Sequence, residues 1–178
     1  MFSIATVISP RSVAQPTHLR VFYSKFEHLF GEKPSVEESA VNRDSYSIDI
    51  TSLVKESLEE SGVQNGIATI FSRHTTAAIS IQENEPLLLN DMASSLDRIA
   101  PKNARYGHND FSIRTVHMEE DECPNGHSHC QHLVLGSSET VPVINGSLSL
   151  GQWQRIFVVE LDEAKTMPRE IVIQLMGL

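Results

Sequence analysis

Cysteine is scarce in this chain: Cys123 and Cys130 are the only two among 178 residues, too few for the disulfide framework that small secreted domains use in place of a large core. A reducing compartment is therefore expected. Long apolar runs are missing as well, and none approaches the roughly 18 residues that a membrane-spanning helix needs. Basic charge is short: 14 Lys and Arg stand against 23 Asp and Glu, a formal net charge of −9. A balance that negative lacks the basic face on which nucleic-acid phosphates or anionic membranes are held. Neither G-x-x-x-x-G-K-[ST] nor G-x-G-x-x-G occurs, which removes the standard phosphate-cradling loops. The N-terminus has no compact apolar core of the secretory type. A cytoplasmic location is expected, with a mitochondrial or other organelle address as the alternative, because Arg11, Arg20 and Lys25 precede the first acidic residue, Glu27.

Histidine is what the chain does have. There are eight, and five of them fall between His108 and His132. The chain is long enough for one domain with its own core, plus a short extension. Residues 1–42, broken by Pro10, Pro16 and Pro34, read as an irregular N-terminal extension in which Leu19–Tyr23 could form a short strand. Residues 43–178 read as the domain.

Within it Tyr46, Ile48 and Ile50 alternate as in a half-buried strand. A helix of about three turns follows, capped by the Thr51 hydroxyl and ended by Gly62. Strands are expected at Gly66–Phe71 and Ala78–Ile81, joined by a polar corner Arg73-His74-Thr75-Thr76. A second helix starts at Pro86 with Asn84 or Glu85 as its cap, carries the stripe Leu88, Met92, Leu96 and Ile99, and stops at Pro101. Residues 102–125 read as a long loop. His127–Gly136 is expected to be an extended strand that splits its imidazoles between two faces. Asn145-Gly146 marks a tight hairpin, and Arg155–Leu161 and Glu170–Leu175 look like a terminal antiparallel pair. The expected class is α+β, a compact, β-rich, sandwich-like and mostly antiparallel domain with two main helices.

Neutral imidazole is the commonest metal ligand, and three with an open fourth position make a catalytic type of site. His74, His108 and one or two of His127, His129 and His132 are the candidates. Glu83, Glu85 and Asp91 could serve as acid or base groups near the His74 corner. Thr75, Thr76, Ser137 and Ser138 could hold phosphate through hydroxyl and backbone groups. A Cys130 nucleophile beside His129 and His132 is a further possibility. Trp153, the single tryptophan, reads as a core or interface residue.

Several segments taken together resemble one family: Arg73-His74-Thr75-Thr76-Ala77-Ala78-Ile79, Gln82-Glu83-Asn84-Glu85, Tyr106-Gly107-His108-Asn109, Asn125-Gly126-His127-Ser128-His129, Gly136-Ser137-Ser138 and Gly146-x-Leu148-x-Leu150-Gly151-Gln152-Trp153-Gln154-Arg155-Ile156. They are similar to the YjbQ family over residues 43–178, in the same order. The resemblance implies a β-rich homotrimer and a metal site formed by His74, His108 and His129. It also implies a thiamine-phosphate synthase activity, which joins a pyrimidine-methyl pyrophosphate to a thiazole phosphate and releases pyrophosphate. Beside that implied site, Glu83 or Asp91 is expected to act as an acid/base group or to support the metal ligands, and a small phosphorylated molecule is the expected partner. Zinc suits the nitrogen donors, whereas magnesium, the other divalent candidate, prefers oxygen. The alternatives are a metal-assisted hydrolase and a non-catalytic trimer that binds a metal or ligand. The pattern departs from the family at Asp162-Glu163-Ala164-Lys165, where a shorter Gly-Pro turn is common.

Overall fold

The structure, a computed structural model, describes residues 4–5, 17–21, 46–120, 122–162, 164 and 169–178. Strands are β1 (Ile4–Ala5), β2 (Thr17–Val21), β3 (Tyr46–Asp49), β4 (Gly66–Ser72), β5 (Ala77–Glu83), β6 (Ser138–Ile144), β7 (Ser147–Leu148), β8 (Gln154–Glu160) and β9 (Arg169–Gly177). Helices are α1 (Thr51–Ser61), α2 (Pro86–Ile99) and α3 (Gly126–Leu135), with a 3-10 turn at Gly107–Asn109.

Two sheets form, one of six strands in the order β1-β2-β9-β4-β6-β7 and one of three in the order β3-β8-β5, with every pairing antiparallel. Between them lies the main core. Ala68, Ile70, Val141, Val143, Ile171, Ile173 and Leu175 face Ile48, Ile79, Ile156 and Val158, with Val54 and Leu58 of α1 closing one end. The other face of the small sheet presents Ala78, Phe157 and Val159, which pack with Leu96 of α2 and with Leu89 and Leu135. The order is thus sheet, sheet, helices. It is the expected α+β class, and the alternation of β9 between buried and half-buried residues reflects a strand with one covered face.

Local chemistry explains most boundaries. Glu85 caps α2, its carboxylate accepting from the N–H groups of Leu87 (3.0 Å) and Leu88 (2.7 Å), and Pro86 fills the first helical position. At α1 the expected Thr51 cap is replaced: Asp49 Oδ1 accepts from the Thr51 N–H at 2.9 Å, while the Thr51 hydroxyl accepts from the Ile156 N–H at 2.8 Å. Gly62 ends α1 in the left-handed conformation. Asn145 and Gly146, both at positive φ, make the hairpin turn between β6 and β7.

Three expectations are corrected. His127–Leu135 is helical rather than extended, giving a third helix among the described residues. The alternation of His residues imitates a strand, but the buried set is His127, Ser128 and Gln131, which lie on one helical face, and Leu133 and Val134 point outward. Strands β8 and β9 do not pair; β8 lies between β3 and β5, and β9 lies between β2 and β4. Finally, the extension is not wholly irregular. Its residues 17–21 pair with β9 from Thr17↔Ile173 to Val21↔Arg169, although Phe22 and Tyr23 of the expected strand, and most of residues 1–42, lie outside the described residues. Among the described residues no helix is long and apolar enough to cross a membrane.

Candidate functional site

The helix that replaces the expected strand decides which histidines meet. Gly126 opens α3, and a side chain there would strike Tyr106, since a Cβ would lie 2.6 Å from the Tyr106 Cβ. The Gly126 N–H donates to Asn109 Oδ1 at 2.8 Å. These contacts press the 3-10 turn carrying His108 against the first turn of α3 carrying His129. Their rings meet edge to face, with centroids 4.6 Å apart and planes at 67°. Both residues are half-buried. Burial, followed by neighbouring His108, holds the His129 ring below the usual histidine pKa; Asp162 pulls the other way, and His132 and Arg114 add to the lowering. A neutral ring at neutral pH can accept a proton.

Beneath the pair is a buried polar layer. Asn125, the residue preceding α3, donates from Nδ2 to Asp162 Oδ2 at 2.7 Å. The Cys123 thiol lies 3.9 Å from Asp162 Oδ1. The Ser128 hydroxyl donates to the Leu161 carbonyl at 2.6 Å, and the Asp162 N–H donates to Glu160 Oε1 at 2.7 Å. Glu160 is gripped by Arg169, whose Nε donates to Oε2 at 2.9 Å and Nη2 to Oε1 at 2.7 Å. Sequence reasoning missed Glu160, Asp162 and Arg169. Their signal was available, in carboxylates set at the end of the apolar run Ile156–Leu161 and an arginine at the head of an alternating strand.

The remaining candidates make contacts of their own. His74 sits at the corner between β4 and β5, where its Nε2 accepts from the Glu170 N–H at 2.7 Å. Burial, then the charge of Arg169, holds its pKa below the usual value, against the pull of the Glu160 and Glu170 carboxylates. With Nε2 accepting, the neutral ring carries its proton on Nδ1, so no lone pair is left for a metal. Thr76 is buried and its hydroxyl accepts from Arg169 Nη2 at 3.0 Å, whereas Thr75 is exposed. Ser137 shares a 3.1 Å hydrogen bond with His132 Nε2, and Ser138 is exposed at the start of β6. Glu83 ends β5, about 20 Å of strand away from the corner, and Asp91 is exposed on α2. His127 is buried beside the Ser128 hydroxyl, Cys130 is exposed, and so is Trp153.

The three-histidine metal set therefore does not fit. Two of its rings meet and the third has its lone pair engaged elsewhere; among the described residues no group of three or more His, Cys, Asp or Glu is placed to hold a metal ion. The rings offer nitrogen, which also suits magnesium poorly.

Comparison with known proteins agrees with the fold. The model of the UPF0047 protein YjbQ-like family matches residues 37–178. A UPF0047 protein of Methanothermobacter thermautotrophicus is 50% identical over 115 residues, 65% of this chain and 73% of that protein. YugU of Bacillus subtilis, also a UPF0047 protein, is 37% identical over 131 residues, 73% of this chain and 89% of its own length. The crystal structure of a YbjQ-like protein of unknown function from Sulfolobus solfataricus superposes with a TM-score of 0.67 at 34% identity, covering 76% of this chain and 90% of that one. These relatives bear family names without an assigned activity, and among the described residues no three such side chains are placed together to hold a metal ion. The expectation of a metal-dependent thiamine-phosphate synthase, with the metal-assisted hydrolase and the metal-binding trimer as its alternatives, is accordingly withdrawn. What sequence and structure establish together is that the chain belongs to the UPF0047 (YjbQ-like) family.

Proposed function

We propose that the chain is an enzyme that transfers protons with the His108–His129 pair while it holds a small phosphorylated molecule. The observation that carries this reading is the contact itself: two half-buried imidazoles with ring centroids 4.6 Å apart, one of them kept neutral largely by burial. A neutral imidazole accepts a proton and an imidazolium donates one, which is the division of labour that acid–base catalysis needs. One further feature supports an anionic substrate: His129 lies in the first turn of α3, at the positive end of the helix dipole. Ile113 and Val116 on the loop, and Leu133 and Val134 on α3, are exposed, which supports assembly with further copies of the chain, such as the homotrimer implied by the family resemblance.

The test is a panel of inorganic phosphate, pyrophosphate and phosphate monoesters. Binding is followed on the His108 and His129 ring signals by NMR, and each binder is then assayed for turnover. The expected result is a binder that shifts both rings and a turnover that falls about 100-fold or more in His129→Ala and in His108→Ala. A panel without a binder, or turnover indifferent to both substitutions, would sink the reading.

A further inference from the structure

Adjacent residues of β9 bond to different partners. Glu170 uses its N–H on His74, whereas Arg169 turns inward and grips both carboxylate oxygens of Glu160, with Nη2 also on the Thr76 hydroxyl. Glu160 and Arg169 are 2% and 4% exposed. Burying such a pair gains little stability over an apolar pair of the same size, so stability alone does not account for it. Its geometry points upward. Glu160 Oε1 accepts the Asp162 N–H, the Asp162 carboxylate accepts from Asn125 Nδ2, and Asn125 is the residue from which α3, and so His129, begins. Each bond in that series is 2.7 Å long.

We propose that the buried Arg169–Glu160 pair is a positioning device for the His108–His129 site: it fixes the Leu161-Asp162 turn, and through Asp162 and Asn125 it sets the depth and orientation of the first turn of α3. Neither residue touches the proposed substrate. The assignment rests on His129 being the working group, and adds that its placement depends on the acceptor Glu160 presents to the Asp162 N–H. One further detail fits a placing role rather than a packing role. Asn125 Oδ1 is buried with no hydrogen-bond partner among the described residues, so the side chain is held at that spot through its Nδ2 bond to Asp162.

The test compares two double variants of the full chain, Glu160→Met/Arg169→Met and Glu160→Gln/Arg169→Met. Both are uncharged and close in volume, but only the glutamine offers an oxygen to the Asp162 N–H. Three quantities are read: melting temperature, the NMR signals of the Asn125 side-chain amide and the His129 ring, and affinity for inorganic phosphate. The expected result is that both variants fold, that the Met variant moves the Asn125 and His129 signals and weakens phosphate binding at least tenfold, and that the Gln variant stays near wild type in both. Equal signals in the two folded variants would overturn the proposal. Should the Met variant fail to fold, the Gln variant decides: it keeps an oxygen facing the Asp162 N–H, and Asn125 and His129 signals that move there overturn the proposal too. If the signals move as expected while wild-type protein binds no phosphorylated compound, the positioning role stands and the proposed function falls.

Discussion

His74 and His129 are both half-buried histidines with lowered pKa values, yet they are put to opposite uses. His74 spends its Nε2 lone pair on the Glu170 N–H, tying the β4–β5 corner to the head of β9. His129 presents its ring to a second imidazole above a layer of buried polar side chains. A shift in pKa thus says that a ring is desolvated, not that it is available for chemistry; the partner of each nitrogen decides that. Both neighbourhoods depend on β9, and they should come apart under the right substitutions.

The largest effect is expected where they share support. Arg169→Met alone strands the Glu160 carboxylate in the core and should cost about 3–5 kcal/mol in denaturant unfolding, with damage at both histidines. Gly126→Ala should break one side only. The new Cβ collides with Tyr106, and overpacking of this kind costs about 1–3 kcal/mol; the 4.6 Å ring contact would be lost while the Glu170–His74 bond persists, as NMR contacts would show. His74→Ala is the converse, an acceptor removed from one backbone N–H for about 1–2 kcal/mol, with phosphate binding at the pair unchanged.

The pH dependence follows from the same ring. Its folded pKa lies below the ordinary histidine value of 6.5, so its contribution is complete above that value and is lost as pH falls toward the folded pKa, because the unfolded chain takes up the proton more readily. Unfolding free energies from pH 7 to 5 should decline less steeply in His74→Ala than in wild type. The smallest effect on stability belongs to His108→Ala, under about 0.5 kcal/mol as for a partly exposed site. The same variant should show the deepest loss of turnover, and that opposition is the sharpest contrast with His74.

How much of this was legible in the sequence depended on whether apolar residues marked the buried face. They did for β4, β5, α1 and α2, where Ile70, Ile79, Val54 and Leu96 fall on the covered side. They did not for α3. Its inner face is His127, Ser128 and Gln131, its outer residues include Leu133 and Val134, and a hydrophobic period therefore points to the wrong surface or to none. The site inherited that error, since a strand would have parted His127 and His129 from His132 by face. A helix instead directs His127 inward, seats His132 beside Ser137, and leaves His129 to face the turn that carries His108. Proximity in sequence also suggested that β8 and β9 pair, but β8 is covered on both faces and crosses to the smaller sheet. Glu160, Asp162 and Arg169 carried a local signal, but their pairing did not: the partners Thr76 and Asn125 come from distant segments, and only the closed fold brings them together.

Strand β2 lies before the family match begins at residue 37, yet it runs along five residues of β9 that include Arg169. A protein trimmed to the boundary that homology suggests would turn β9 from an interior strand into an outermost one, with a row of open N–H and C=O groups inviting another chain to dock. Expression of the shortened form would then select for aggregates or exchanged strands, and any enzymology carried out on it would describe a molecule whose arginine clamp had lost its neighbour.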